Sequence, residues 1–174
     1  MRYVSATGTR VSIIGQDSFY QKGRRSVSEW DRPEALNHDW ILQVLQKEAL
    51  NAEVQCVIFE GYKAFHDDRL VPLLDLLIWI NVPKEVSRER RLRSKKCTAE
   101  HFDNNVWPSH LVYMQKVQQD RKNASKKYSN RFHPFNGRVD TKDEILKQTL
   151  KIVIQQRPVL HNALIAADTE AEAK

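Results

Sequence analysis

The chain has 174 residues, 41% of them hydrophobic and 29% charged, and a formal net charge of +6. That length and balance fit one soluble globular domain with its own core. They exclude a membrane span, since no apolar run approaches roughly 18–20 residues. They also exclude a disulfide framework or a four-ligand zinc site, because Cys56 and Cys97 are the only cysteines.

Met1 to Arg10 has no apolar stretch of the kind a secretory signal carries, so a reducing, cytoplasmic location is expected. A pI near 9.4 suggests anionic partners. The basic residues gather in two segments, Lys84 to Lys96 and Lys116 to Arg131. Three readings are open for them: solvated helix faces, contacts to nucleotide phosphates, and a nucleic-acid surface. The third lacks the aromatic interleaving of single-strand binders and any DNA-binding motif.

Residues 11–16, rich in Val and Ile, predict a short buried strand. A polar loop follows over 17–33. Pro33 opens a predicted helix over about 34–50, whose core face is marked by Leu36, Trp40, Ile41, Val44 and Leu45. Residues 54–60 predict a second strand, with Cys56 as a small core residue. Leu70 to Leu74 is a short helical or turn segment around Pro72. Leu76 to Val82 predicts a third strand, apolar almost throughout, as for a strand covered on both faces. Trp40 and Trp79 are expected in the core.

Pro83 ends that strand, and Lys84 begins a basic helix reaching about Arg93. Residues 94–106 lack periodicity and read as a loop. Trp107-Pro108 opens a long helix to about 125, and Arg131 to Phe135 predicts a last short strand. Asn136-Gly137 signals a turn. Thr141 then caps a helix through Ile145, Leu146, Leu150 and Ile154. Residues 157–174 read as a disordered tail. Alternation of strands and helices predicts a mostly parallel α/β sheet within residues 1–156.

Ligands of such sheets bind at the carboxyl ends of the strands, where Asp17 and Glu60 fall. Phosphoryl transfer to an alcohol needs a phosphate cradle, a metal, a carboxylate for the hydroxyl and cations for the transferred charge. Asp17 could accept the hydroxyl proton or merely close an Asx turn. Glu60 could contact metal or substrate, or cap a helix. Arg90, Arg91 and Arg93 suit bidentate phosphate binding. Trp30-Asp31 pairs an aromatic plane for a base with a carboxylate for ribose hydroxyls; the alternative is a loop anchored by a buried Trp. The six histidines show no metal-ligand spacing.

Several segments together resemble the nicotinamide riboside kinase family, within the uridine-kinase-like P-loop kinases. They are Gln16-Asp17-Ser18-Phe19-Tyr20, Trp30-Asp31-Arg32-Pro33-Glu34-Ala35-Leu36, Ile58-Phe59-Glu60-Gly61-Tyr62, Pro83 to Arg93, and Phe102-Asp103-Asn104-Asn105-Val106-Trp107-Pro108. The resemblance implies a three-layer nucleoside-kinase sheet, ATP and Mg2+ as cofactors, and a nucleoside substrate, with nicotinamide mononucleotide as product. It implies Asp17 as general base for the ribose 5′-hydroxyl, Glu60 at the magnesium, Asp31 on the ribose hydroxyls, Trp30 stacked on the base, and Arg91 on ribose and phosphates. Arg90 and Arg93 would bind the nucleotide, and residues 94–106 would form the lid.

Two departures qualify the likeness. Lys95-Lys96 stands where the family carries an aromatic for the other side of the base. The five glycines at 8, 15, 23, 61 and 137 include no pair spaced as in Gly-x-x-x-x-Gly-Lys-Ser/Thr. Met1 to Arg10 would correspond to the end of the helix after that loop. The central first strand and the loop would then be lacking, and activity impaired. Two strands would be left with open edges, inviting association with another chain. A non-catalytic, kinase-derived scaffold is the alternative.

Overall fold

The computed structural model describes residues 2–4, 10–21, 29, 31–94, 97–123 and 131–156. Trp30, the Lys95-Lys96 pair and the segment 157–174 lie outside the described residues. The chain forms two compact units that share it in alternation. Met1–Ser18, Asp39–Ala64 and Lys142–Lys174 make the first; Phe19–His38 and Phe65–Thr141 make the second.

The first unit is built on a three-stranded sheet in the order β1-β2-β3. β1 (Arg2–Val4) lies antiparallel to β2 (Arg10–Gly15), and β2 lies parallel to β3 (Cys56–Glu60). A strand at 2–4 replaces the helix end that the resemblance implied for this segment. Val11, Ile13, Ile14, Val57 and Ile58 are β-branched residues that suit a pleated surface. The register sets Val11 beside Cys56 and Gly15 beside Glu60, so β2 and β3 end level with each other. α1 (His38–Ala49) and α5 (Lys142–Gln156) are its helices. Asp143 and Glu144 lie in the first turn of α5, where carboxylates favour the positive end of the helix dipole.

α1 begins four residues later than its sequence suggested. Pro33–Ala35 forms a separate 3-10 turn, and Leu36 is extended, bridging antiparallel to Tyr20. Leu36 is therefore buried from a strand-like segment and not from a helix face. Within α1 the inward arc is Ile41, Leu45 and Glu48, at spacings of four and three. Trp40 falls at the margin of that arc and is 49% exposed, contrary to its reading as core.

The second unit holds two parallel strands, β4 (Leu77–Asn81) and β5 (Phe132–Asn136), with Leu77 beside Phe132 and Asn81 beside Asn136. Pro134 sits within β5, a position that fits an edge strand because Pro cannot donate to a ladder. Gly137 closes the turn that follows: its N–H donates to Asn81 O, and a Cβ there would stand 2.8 Å from Ile80 and Val82 methyls. Trp79 packs with Phe65, Tyr113 and His110 but is only half-buried, less enclosed than the core residue its sequence suggested.

α2 (Lys84–Arg93) follows Pro83 and buries none of its residues. The sequence reading of 94–106 as a loop is corrected over its second half. α3 (Ala99–His101), a π turn at Phe102–Val106 and α4 (Trp107–Asn123) run on as helical backbone. Thr98 starts this run by accepting the His101 N–H on its hydroxyl, 3.1 Å away. Phe102, Leu70, Val71 and Leu77 are the largest fully buried side chains here.

Both sheets have an open strand. Among the described residues β3 pairs only with β2, and β4 only with β5. Ile58 is 45% and Ile80 49% exposed, and Cys56 is half-buried. The apolar run of β4 thus predicted cover that is not found, and Cys56 is less enclosed than a core cysteine. An apolar strand with an unpaired edge promotes association, and lysine on it opposes pairing. Ile58→Lys and Ile80→Lys should each reduce concentration-dependent light scattering of the chain. Scattering unchanged by both would remove the edges as its cause.

Candidate functional site

In the first unit, the level ends of β2 and β3 bring two predicted carboxylates to one sheet edge. β2 passes into a 3-10 turn at Gln16–Phe19, and Asp17 is exposed on its first residues. Asp17 makes no hydrogen bond or ion pair among the described residues, so the bond an Asx turn requires is not found there. Glu60, the last residue of β3, is exposed and folds over its neighbour in the register. A Cβ at Gly15 would stand 2.8 Å from Glu60 Oε1, so the carboxylate lies over the glycine and would have to swing aside for a larger residue.

Gln16, which the sequence reading did not single out, braces this edge. It is 3% exposed, and its Oε1 accepts the Lys63 N–H at 2.9 Å. Its side chain crosses the face of Gly61, where a Cβ would meet Gln16 Cβ at 2.3 Å. One amide thereby ties the exit of β3 to the exit of β2. Lys63 is itself buried, its Nζ 5.1 Å from the centre of the Tyr62 ring.

In the second unit, Asp31 is held from two directions. Its carbonyl accepts the Ser109 hydroxyl at 2.5 Å, and its Oδ2 lies 3.0 Å from His101 Nε2. That oxygen is sealed from solvent and has no well-aligned hydrogen bond, so the contact with the imidazole is one of proximity. The Asn105 amide lies 3.3 Å from the other ring nitrogen, Nδ1. Arg32, Asn104, Asn105, Ser109, Tyr113 and Lys116 line a cavity of about 370 Å³, within the size range of small-ligand sites. Burial pulls Lys116 down, but its bonds to Asp120 and Asp68 outweigh this and raise it above the ordinary lysine range.

The α2 arginines are more engaged with the fold than their sequence suggested. Arg90 donates to Gly137 O at 2.9 Å, and Arg93 pairs with Glu89 one turn away. Arg91 is half-buried and makes no ion pair among the described residues. Lys84 and Arg88 both bind Asp103 of the π turn, at 3.1 and 3.0 Å. The hydrogen bond from Lys84, then that from Arg88, holds the Asp103 carboxyl below the usual carboxylate range. A lowered folded value stabilises the fold above the ordinary carboxylate value, and the gain is lost as pH falls through the folded one. Asp103→Asn should therefore lower the urea midpoint at neutral pH and leave it unchanged in strong acid. An equal loss at both pH values would contradict this.

Sequence reasoning missed His101 and Ser109 because their partner, Asp31, lies 70 or more positions away, and Asn105 because its role depends on His101. Thr98 was the one local signal, as a cap three residues before His101.

No family model matches the chain. It is 21% identical over 186 residues to a uridine kinase from Oceanobacillus iheyensis, an alignment covering 86% of this chain and 85% of that protein. The likeness supports a uridine-kinase-like relationship and accords with the mixed α/β architecture and short parallel sheets. No helix among the described residues is long and apolar enough to cross a membrane.

Proposed function

We propose that the chain supplies the nucleoside side of an ATP-dependent nucleoside kinase, with nicotinamide riboside as the acceptor and its mononucleotide as product. The carrying observation is the pair of exposed carboxylates, Asp17 and Glu60, at the level ends of two parallel strands braced by Gln16. The similarity to a uridine kinase supports the nucleoside class; the resemblance of the Trp30-Asp31 and Phe102–Pro108 segments supports the narrower substrate.

In this reading Asp17 takes the proton of the 5′-hydroxyl as its oxygen bonds to the terminal phosphorus of ATP and the bond to the diphosphate leaving group breaks. Asp31 binds the ribose hydroxyls, Trp30 stacks on the base, and Arg91 reaches ribose and phosphate. Glu60 fits a magnesium ion: it is an exposed hard-oxygen donor at the sheet edge, one residue pair from the Asp17 turn. Among the described residues no three metal-ligating side chains cluster. Mg2+ is commonly held by one or two carboxylates together with substrate phosphates. When bound, the ion neutralises phosphate charge.

A kinase-derived scaffold without catalysis is the second reading for residues 1–174 taken by themselves, whose five glycines include no Gly-x-x-x-x-Gly-Lys spacing. One assay separates the two. The chain, and the chain preceded by a strand–phosphate loop–helix segment, are each given magnesium-ATP with nicotinamide riboside or uridine. The kinase reading expects turnover at least ~10²-fold faster with the segment, the scale of losing preorganised phosphate donors. Binding without turnover in both forms would leave the scaffold reading standing.

A further inference from the structure

We infer that His101 is a positioning residue for Asp31 and that the pair sets the preference for ribose over deoxyribose. The inference rests on the reading of Asp31 as the binder of ribose hydroxyls, and adds what aims it. Asp31 and His101 have side chains only 18% exposed, and Asp31 Oδ2 is wholly sealed. A buried carboxylate oxygen without a donor is costly, and His101 Nε2, at 3.0 Å, is the group that faces it.

The imidazole is itself held at both ends of its attachment. Asn105 reaches Nδ1 from the π turn, and Thr98 accepts the His101 backbone N–H. π turns of this kind are frequent at functional sites. Ser109, one step further along the same helical run, fixes the Asp31 main chain. Carboxylate and backbone are thus both contacted by one helical run, whose residues Asn105 and Ser109 also line the cavity. With Oδ2 turned inward, the exposed part of the carboxylate includes Oδ1, whose lone pairs remain for a sugar hydroxyl.

Sugar discrimination should therefore pass through His101. Calorimetry would compare uridine and nicotinamide riboside with 2′-deoxyuridine on the intact chain. The wild type is expected to favour the ribonucleosides roughly 10- to 100-fold, the scale of a hydrogen bond to a charged group. His101→Ala should bring that ratio to within about 3-fold, and His101→Gln, which keeps a donor, should restore part of it. A residue that only stabilises the fold would weaken both sugars alike and leave the ratio intact. Ring signals of His101 in the wild-type NMR spectrum should also shift with ribonucleoside and not with the deoxy form, a readout that needs no variant to fold.

A wild-type ratio that survives His101→Ala, or unmoved ring signals with ribonucleoside bound, overturns the inference while the reading of Asp31 stands. A wild type that binds neither sugar, or both equally, overturns that reading and the inference with it.

Discussion

Phe102→Ala is expected to lower stability by about 3–5 kcal/mol, the range for deleting a buried aromatic side chain. Phe102 is fully buried and lies over Trp107 with ring centroids 6.1 Å apart. It is the first residue of the π turn, and its N–H closes the α3 turn onto Thr98 O at 3.0 Å. The cavity left by alanine would open in the middle of a helical run, where neither α3 nor α4 can collapse without losing its hydrogen bonds. Urea unfolding followed by tryptophan fluorescence checks this. A loss under 1 kcal/mol would mean that the turn repacks around the gap.

The same motif explains itself residue by residue. Val106 is the second buried anchor, Asp103 takes the α2 cations, and Asn105 reaches His101. A segment that looked like a family signature is thus, in this chain, the joint between the basic helix and the Asp31 loop.

Asp17→Asn carries the largest expected effect on chemistry. In the chain joined to a phosphate-loop segment, turnover should fall ~10²–10⁴-fold, the usual contribution of a positioned general base. The KM for nucleoside should stay within about 3-fold, because the lost interaction is one made in the transition state. The amide keeps the size of the carboxylate, and Asp17 is exposed with no structural partner among the described residues, so stability should not change. A turnover loss below 10-fold would remove Asp17 from the role of base.

The strands were legible because β-branched runs bounded by Pro, Gly and charged residues leave few alternatives. Val11 to Gly15 and Val57 to Glu60 show this. The start of α1 was misplaced because Pro33 satisfies the opening turn of a 3-10 helix as well as that of an α-helix. Nothing local announces that Leu36 will pair with Tyr20. Trp40 was misread because one residue of rotation, about 100°, separates the centre of a helix face from its margin. α3 and the π turn were missed because three residues of helix and a wide turn carry no 3.6-residue repeat. The Asp31–His101 approach could not be read at all, since it depends on how the loop docks and not on any spacing.

The alternation of the two units along the chain has a practical consequence. The path crosses from one to the other between residues 18 and 19, 38 and 39, 64 and 65, and 141 and 142. No single proteolytic nick can therefore release either one, and no simple truncation can deliver one for study. A protease that cuts within Phe65–Thr141 leaves both fragments holding parts of both units. Dissection into separately expressed halves would need a permuted order of segments, and a cleaved chain should hold together until it is denatured.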